Sequence, residues 1–209
     1  MPTRPSHTVL LTGFEAFGGQ RINPSQLVAS ALEGEIISGF LVKSATLPCA
    51  FADAFAELAE GLESLQPALV ICVGQASGRS AINLERIAIN LDHASMPDNR
   101  GARPENQPIR IEGPAAYWSS LPVPAIASAL GEAGIAAALS QSAGSFVCNH
   151  VFYRLMETLA HRPAVRGGFI HIPLLPEQVR EIPRQPPLPS MPLATMVEAL
   201  HIAIRTSLL

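Results

Sequence analysis

The chain has 209 residues, 48% of them hydrophobic and 15% charged, with a net charge of −3 at pH 7. This length and apolar content suit one large α/β domain over residues 1–209, and the lack of any Lys/Arg cluster argues against nucleic-acid binding. Cys49, Cys72 and Cys148 are odd in number and far apart, which fits neither a disulfide framework nor a CxxC metal site.

In chain order, residues 8–12 form a continuous apolar run that reads as a buried strand. The short residues before it cannot form a signal-peptide core, and no stretch is long enough to span a bilayer, so a reducing cytoplasm is the expected compartment. The strand ends in Gly13-Phe14-Glu15-Ala16-Phe17-Gly18-Gly19, followed by Asn23-Pro24-Ser25. Asn as N-cap with Pro at the first helical position predicts a helix to about Leu32. Strand, glycine loop and helix form a common α/β ligand site. The loop is neither GxGxxG nor a P-loop, and its two phenylalanines suit a flat, apolar ligand.

Residues 39–47 predict a second strand, and 50–65 a helix with Phe51, Phe55, Leu58 and Leu62 on one face. A short buried strand over 68–73 meets Gly74-Gln75, where backbone amides and Gln75 could reach a ligand; a solvated loop glutamine fits equally well. Residues 81–90 alternate as one strand containing Glu85, which from local sequence alone reads as an exposed-face acid. Residues 92–124 are rich in proline and glycine and form a long irregular connection, a kind of segment that often covers a functional site. A helix around 126–130 and a strand over 135–139 follow.

Ser142-Ala143-Gly144-Ser145-Phe146-Val147-Cys148-Asn149-His150 then leads into Val151, Phe152, Leu155, Met156 and Leu159 at helical spacing. Cys148 is therefore expected in the first turn of an amphipathic helix. Partial positive charge and free N–H groups there favour a thiolate and can hold an oxyanion. The same pattern also fits a plain buried cysteine. Residues 167–173 predict a last buried strand carrying His171, which by itself reads as a core or rim histidine. Five prolines from 183 to 192 make an extended connector, and a final helix covers 194–205. Alternating strands and helices argue a three-layer α/β/α sandwich around a mostly parallel sheet. If the strands over 135–139 and 167–173 were adjacent and parallel, Cys148 and His171 would stand side by side.

Four blocks in order, Leu-Thr-Gly-Phe-Glu-Ala-Phe-Gly-Gly with Ile-Asn-Pro-Ser, Val-Gly-Gln-Ala-Ser-Gly-Arg with Leu-Glu-Arg-Ile-Ala-Ile-Asn, Ala-Gly-Ser-Phe-Val-Cys-Asn-His-Val-Phe-Tyr, and Gly-Gly-Phe-Ile-His-Ile-Pro, span about residues 8–178. Together they resemble the pyroglutamyl peptidase I family of cysteine peptidases. The resemblance implies hydrolysis after an N-terminal pyroglutamyl residue, with Cys148 as nucleophile, His171 as general acid–base and Glu85 as its orienting carboxylate. It also implies a lactam pocket of Phe14, Phe17, Phe146 and Val147, edged by Met96, with Asn23 and Gln75 pairing the lactam polar groups. No metal or organic cofactor is implied, and a homo-oligomer, possibly a tetramer, is. Ala16, Asn83-Leu84, Cys49 and Ser95-Met96 depart from the family's usual residues. Ser95 replaces a common arginine, and Cys49 is a second oxidisable thiol expected near the site. Rival readings are a phosphorylase-like enzyme with an anion cradle at Gly18-Gly19, a non-catalytic binder of blocked N-termini, and a scaffold docking through the proline connector.

Overall fold

A computed structural model describes residues 7–182 and 184–209; residues 1–6 and 183, the latter the first proline of the connector, lie outside the described residues. The chain runs β1 (Thr8–Phe14), α1 (Pro24–Leu32), β2 (Ile36–Ile37), β3 (Phe40–Leu47), α2 (Ala54–Leu65) and β4 (Leu69–Gln75). It continues through β5 (Ile82–Glu85), β6 (Ile87–Ile89), β7 (Ala116–Trp118), α3 (Val123–Glu132), β8 (Ala137–Ser140) and α4 (Val147–Leu159). β9 (Arg166–Ile172), α5 (Pro176–Glu181) and α6 (Leu193–Ser207) complete it.

The main sheet has the order β2-β3-β1-β4-β9-β5-β8. β3, β1, β4 and β9 are mutually parallel, whereas β2 is antiparallel to β3 and β5 is antiparallel to β9. Strand alternation sorts side chains between two apolar layers. Val9, Leu11, Ile71, Val73, Ile170 and Ile172 face α1, α3 and α6. Leu10, Val70, Cys72 and Phe169 face α2 and α4. The three-layer expectation thus holds, with 4 of the 6 neighbouring strand pairs parallel.

Two sequence expectations need correction. The single strand expected over 81–90 breaks at Arg86: β5 joins the main sheet, whereas β6 pairs with β7 in a separate two-stranded ribbon. The strand expected before the cysteine helix is not adjacent to β9, because β5 lies between β8 and β9 and both β5 and β8 run opposite to β9. Pairing is non-local, and nothing in either segment's own pattern specifies its neighbour.

The Asn23 cap is observed as expected: its Oδ1 accepts from Ser25 N–H at 3.1 Å and from Ser25 Oγ at 2.8 Å, with Pro24 beginning α1. Ser25 Oγ in turn accepts from Phe14 N–H at 2.9 Å. β1 and α1 meet so closely that a Cβ on Gly13 would collide with the Ser25 backbone. The β1–β4 ladder stops at Thr12↔Cys72, while β4–β9 continues to Gln75↔Ile172. β1 leads through α1 to β3 on one side and β4 lies on the other, so a crevice opens between their carboxyl ends, the usual ligand position in an open α/β sheet.

Candidate active site

Period-two alternation brings the site together. Ile82 and Leu84 of β5, and Ile170 and Ile172 of β9, enter the layer under α1, α3 and α6. Glu85 and His171 therefore point to the opposite face, toward α4. Antiparallel pairing of β5 with β9 sets Asn83 opposite His171 and Glu85 opposite Phe169. The carboxylate crosses that short offset, and Glu85 Oε1 lies 2.8 Å from His171 Nδ1. Both residues are buried, Glu85 fully and His171 to 4% exposure.

Cys148 reaches the same point from α4. Phe146 is the extended N-cap of this helix and supplies no capping side-chain bond. Because the first intrahelical bond runs from His150 N–H to Phe146 C=O at 3.1 Å, the N–H groups of Val147, Cys148 and Asn149 have no partner within the helix. The thiol lies over Gly74, the register partner of His171. A Cβ on Gly74 would stand 2.8 Å from Cys148 Sγ and 2.9 Å from the Phe169 ring. Glycine is required there by a side chain arriving from another element, not by a turn.

Burial is the main cause pushing the Cys148 thiol upward, and Cys49, Glu85 and Cys72 add to it, while the Cys148 backbone N–H acts the other way. These groups act against the start of α4, whose free N–H groups favour the thiolate.

Arg79 completes this group. Its Nη1 donates to Glu85 Oε1 at 3.1 Å and to Ser140 Oγ at 3.1 Å, and its Nη2 donates to Ser142 O at 3.1 Å. It joins the Glu85 carboxylate to the segment leading into α4. Glu85 Oε2 is buried without a partner, so Arg79 and His171 both meet Oε1. In the sequence Arg79 stands only as the last residue of the Val-Gly-Gln-Ala-Ser-Gly-Arg block, and its position six residues before an acid gives no sign of this contact.

The pocket residues separate into layers. The Phe17 and Phe146 rings lie 6.1 Å apart and are both partly exposed. Phe51, expected on the apolar face of α2, instead precedes that helix and meets Phe146 edge-on at 5.4 Å. Phe14 and Val147 are buried, and Phe14 packs on Phe169, which packs on His171 at 4.8 Å. Met96 stands against Gly18, its Cε 2.9 Å from where a Cβ would be. Asn23 is buried, and its amide is engaged in the α1 cap and in a 3.0 Å bond to Glu15 O. Gln75 belongs to β4 rather than a loop. Its side chain alternates away from Gly74, and its Oε1 accepts from Gln178 at 2.9 Å.

The segment over 92–107 is fastened down. Asn99 Nδ2 donates to Glu15 Oε1 at 2.7 Å and to Ala16 O at 2.9 Å, and Asp98 Oδ2 accepts from Phe51 N–H at 2.9 Å. Glu15 Oε1 also accepts from Cys49 N–H at 3.1 Å. The Cys49 thiol is pushed up to about 12, first by burial and then by Glu15 and Asp98. This environment works against the ready oxidation expected of it, because the thiolate is the reactive form. Among the described residues no His/Cys/Asp/Glu group has the arrangement of a metal site.

Nearly the whole chain is similar to known proteins. A sequence model of the pyroglutamyl peptidase family matches residues 7–208. A pyrrolidone-carboxylate peptidase from Cupriavidus taiwanensis is 50% identical, with 96% of this chain and 93% of that protein covered. One from Klebsiella pneumoniae is 52% identical over 96% and 92%. The crystal structure of pyroglutamyl peptidase I from Bacillus amyloliquefaciens superposes with a TM-score of 0.91 at 45% identity, covering 96% of each chain. A mutant pyrrolidone carboxyl peptidase from Pyrococcus furiosus gives 0.93 at 41% identity, covering 96% of this chain and 98% of its own. With a family match over nearly its whole length and relatives at half identity, the chain belongs to the pyroglutamyl peptidase family.

Proposed function

We propose that this peptidase removes N-terminal pyroglutamyl residues through Cys148, His171 and Glu85. The observation that carries the assignment is the convergence of the Glu85–His171 pair at 2.8 Å with a thiol seated over Gly74, the neighbour of His171 across β4 and β9. His171 takes the Cys148 proton as sulfur attacks the pyroglutamyl carbonyl carbon. The carbonyl π pair moves onto oxygen, and the free N–H groups at the start of α4 stabilise the oxyanion. On collapse the C–N bond breaks, and the imidazolium returns the proton to the leaving amine. Water, deprotonated by His171, then attacks the thioester; sulfur leaves and pyroglutamate is released. Glu85 fixes the imidazole tautomer and supports its transient charge.

In this reading the lactam ring lies in the crevice between β1 and β4, with Phe17 and Phe146 as walls, Phe14 and Val147 beneath them and Met96 at the edge. The backbone of residues 73–75 has no β1 ladder partner, so it can supply the N–H and C=O that a buried lactam requires. Gln75 serves through this backbone, and Asn23 by holding the loop that carries Phe17. The substrates are N-terminally pyroglutamylated peptides, and the chain works as one domain. Free Cys49, Cys72 and Cys148 suit a reducing cytoplasm. No helix among the described residues is long and apolar enough to cross a membrane. Exposed Ile36, Ile111, Trp118 and Leu139 support a homo-oligomer, to be measured by sedimentation.

The assay is amine release from a fluorogenic pyroglutamyl amide under reducing conditions, with proline and glutamine amides as controls. Turnover of the pyroglutamyl compound alone, lost in Cys148→Ala, is expected. Equal turnover of the proline amide contradicts the substrate assignment.

A further inference from the structure

The short helix α5 lies between the strand expected over 167–173 and the connector from 183, where the sequence pattern predicts no element. Its third residue, Gln178, is 3% exposed and makes four side-chain contacts. Oε1 accepts from the Leu175 backbone N–H at 2.9 Å. Nε2 faces Gln75 Oε1 at 2.9 Å, Gln20 Oε1 at 3.2 Å and the Ile22 carbonyl at 3.3 Å.

The direction of this buried amide is settled by two groups that cannot reverse. The Leu175 N–H only donates and the Ile22 carbonyl only accepts. Oε1 of Gln178 must therefore face Leu175, and its NH2 must face the other three oxygens. Gln20 and Gln75 consequently both turn oxygen inward. A single side chain thus ties together three segments that each build the site. Gln20 and Ile22 close the loop that bears Phe17, with Gln20 N–H bonded to Phe17 O at 3.1 Å. Gln75 follows Gly74, the seat of the Cys148 thiol. Leu175 follows β9, which carries His171.

We infer that Gln178 is a positioning residue for substrate specificity: it sets the separation between the Phe17 loop and the end of β4, and so the width of the lactam crevice. The inference rests on the assignment of that crevice to the pyroglutamyl ring. Gln178 touches none of Glu85, His171, Arg79 or the Cys148 segment in its hydrogen bonds, so its effect falls on substrate fit and leaves thiol chemistry alone. Loss of contacts made equally in the bound substrate and in the transition state raises KM and leaves kcat unchanged.

Gln178→Met keeps the length of the side chain and removes all four hydrogen bonds. Gln178→Glu keeps the Leu175 bond and lets Gln20 and Gln75 turn their NH2 groups inward, but sets a carboxylate against the Ile22 carbonyl. For the pyroglutamyl amide we expect KM to rise about tenfold in Gln178→Met and less in Gln178→Glu, with kcat within about threefold of wild type. The rate of Cys148 alkylation by iodoacetamide stays unchanged in both. Gln75→Leu combined with Gln178→Met should raise KM by less than the product of the single effects. Gln20→Leu, which loosens only the loop side, serves if Gln178→Met does not fold, and should also raise KM at constant alkylation rate.

Folded variants with wild-type KM overturn the role of Gln178. So do variants in which kcat and alkylation fall while KM rises, since that marks a general scaffold defect. A wild-type protein that does not turn over the pyroglutamyl amide at all overturns the crevice assignment instead, and the two failures are told apart by the wild-type assay.

Discussion

Two buried histidine–carboxylate pairs lie on the α4 side of this molecule, and only one of them has the surroundings for catalysis. His171 Nδ1 meets Glu85 Oε1 at 2.8 Å, and His150 Nδ1 meets Asp92 Oδ2 at the same 2.8 Å. Each carboxylate has one oxygen buried without a partner, Glu85 Oε2 and Asp92 Oδ1. His150 is even the nearer in sequence to Cys148, two residues along the same helix. Residues two apart on a helix point to different sides, however, and His150 lies edge-on to Phe51 at 5.8 Å. Its carboxylate belongs to a β-bridge, Asp92↔Gln107, that anchors the long segment. Asn149 beside it binds Ile89 N–H and the carbonyls of Ile89 and Leu91. The His150 pair fastens a cover to α4. The His171 pair instead has Arg79 behind it and a thiol in front. A histidine–carboxylate bond is a common structural device, and what makes one catalytic is the group placed on its other side.

The sharpest break of this comparison is to remove each histidine in turn. His171→Ala should lower kcat by about 10³-fold or more with the fold retained, since triad members act as a unit. His150→Ala should leave the chemistry largely in place and cost about 2 kcal/mol of stability, because it leaves the buried Asp92 Oδ2 without its hydrogen-bond partner. Kinetics together with denaturant melts on both variants read the two effects. Loss of activity without loss of stability in His150→Ala contradicts the structural role.

Gly74→Ala comes next. The added methyl would overlap the thiol position and the Phe169 ring, so Sγ must shift, and a displacement of this size is expected to reduce kcat about 10²-fold. Iodoacetamide labelling of Cys148 should slow in parallel. Arg79→Met is smaller. It removes one charged donor from Glu85 and two bonds to the Ser140–Ser142 segment. A loss of about tenfold in kcat is expected, the size of one charge-assisted hydrogen bond, with partial recovery in Arg79→Lys and no counterpart at the His150 pair, which lacks such a cation.

The least effect on activity comes from the other thiols. Cys72, fully buried, is pushed up to about 12 by burial, and Cys49 to a similar value. In the unfolded chain a thiol ionises near pH 8.5. The folded state keeps these thiols neutral while the unfolded state loses protons, so their contribution is intact below about pH 8.5 and falls as pH rises toward 12. The slope is about 1.4 kcal/mol per pH unit for each thiol. Urea melts between pH 8 and 11 should show a shallower alkaline loss for Cys72→Ala than for wild type, at unchanged kcat.

How far the sequence reached follows from the range of each interaction. Asn23-Pro24 placed the start of α1, and the apolar period placed Cys148 in the first turn of α4, because caps and helix faces are set within a few residues. The family resemblance singled out Glu85, Cys148 and His171 where local patterns favoured bland readings of each. Local patterns could not show that β5 lies between β8 and β9 and runs opposite to β9. Nor could they show that the alternating run 81–90 divides at Arg86 between two sheets. The polar supports were equally hidden. Arg79, through Ser140 and Ser142, and Glu15, Asp98, Asn99 and Gln178 act on partners distant in the chain, and no spacing rule links them.

The central claim is that Cys148 carries the acyl group between its two transfers. Rapid acid quench of wild type during turnover of an activated pyroglutamyl ester, followed by peptide mass mapping, tests it directly. The account predicts one pyroglutamyl adduct on the peptide containing Cys148, absent from Cys148→Ala. An adduct on Cys49, or turnover that persists in Cys148→Ala, would contradict it.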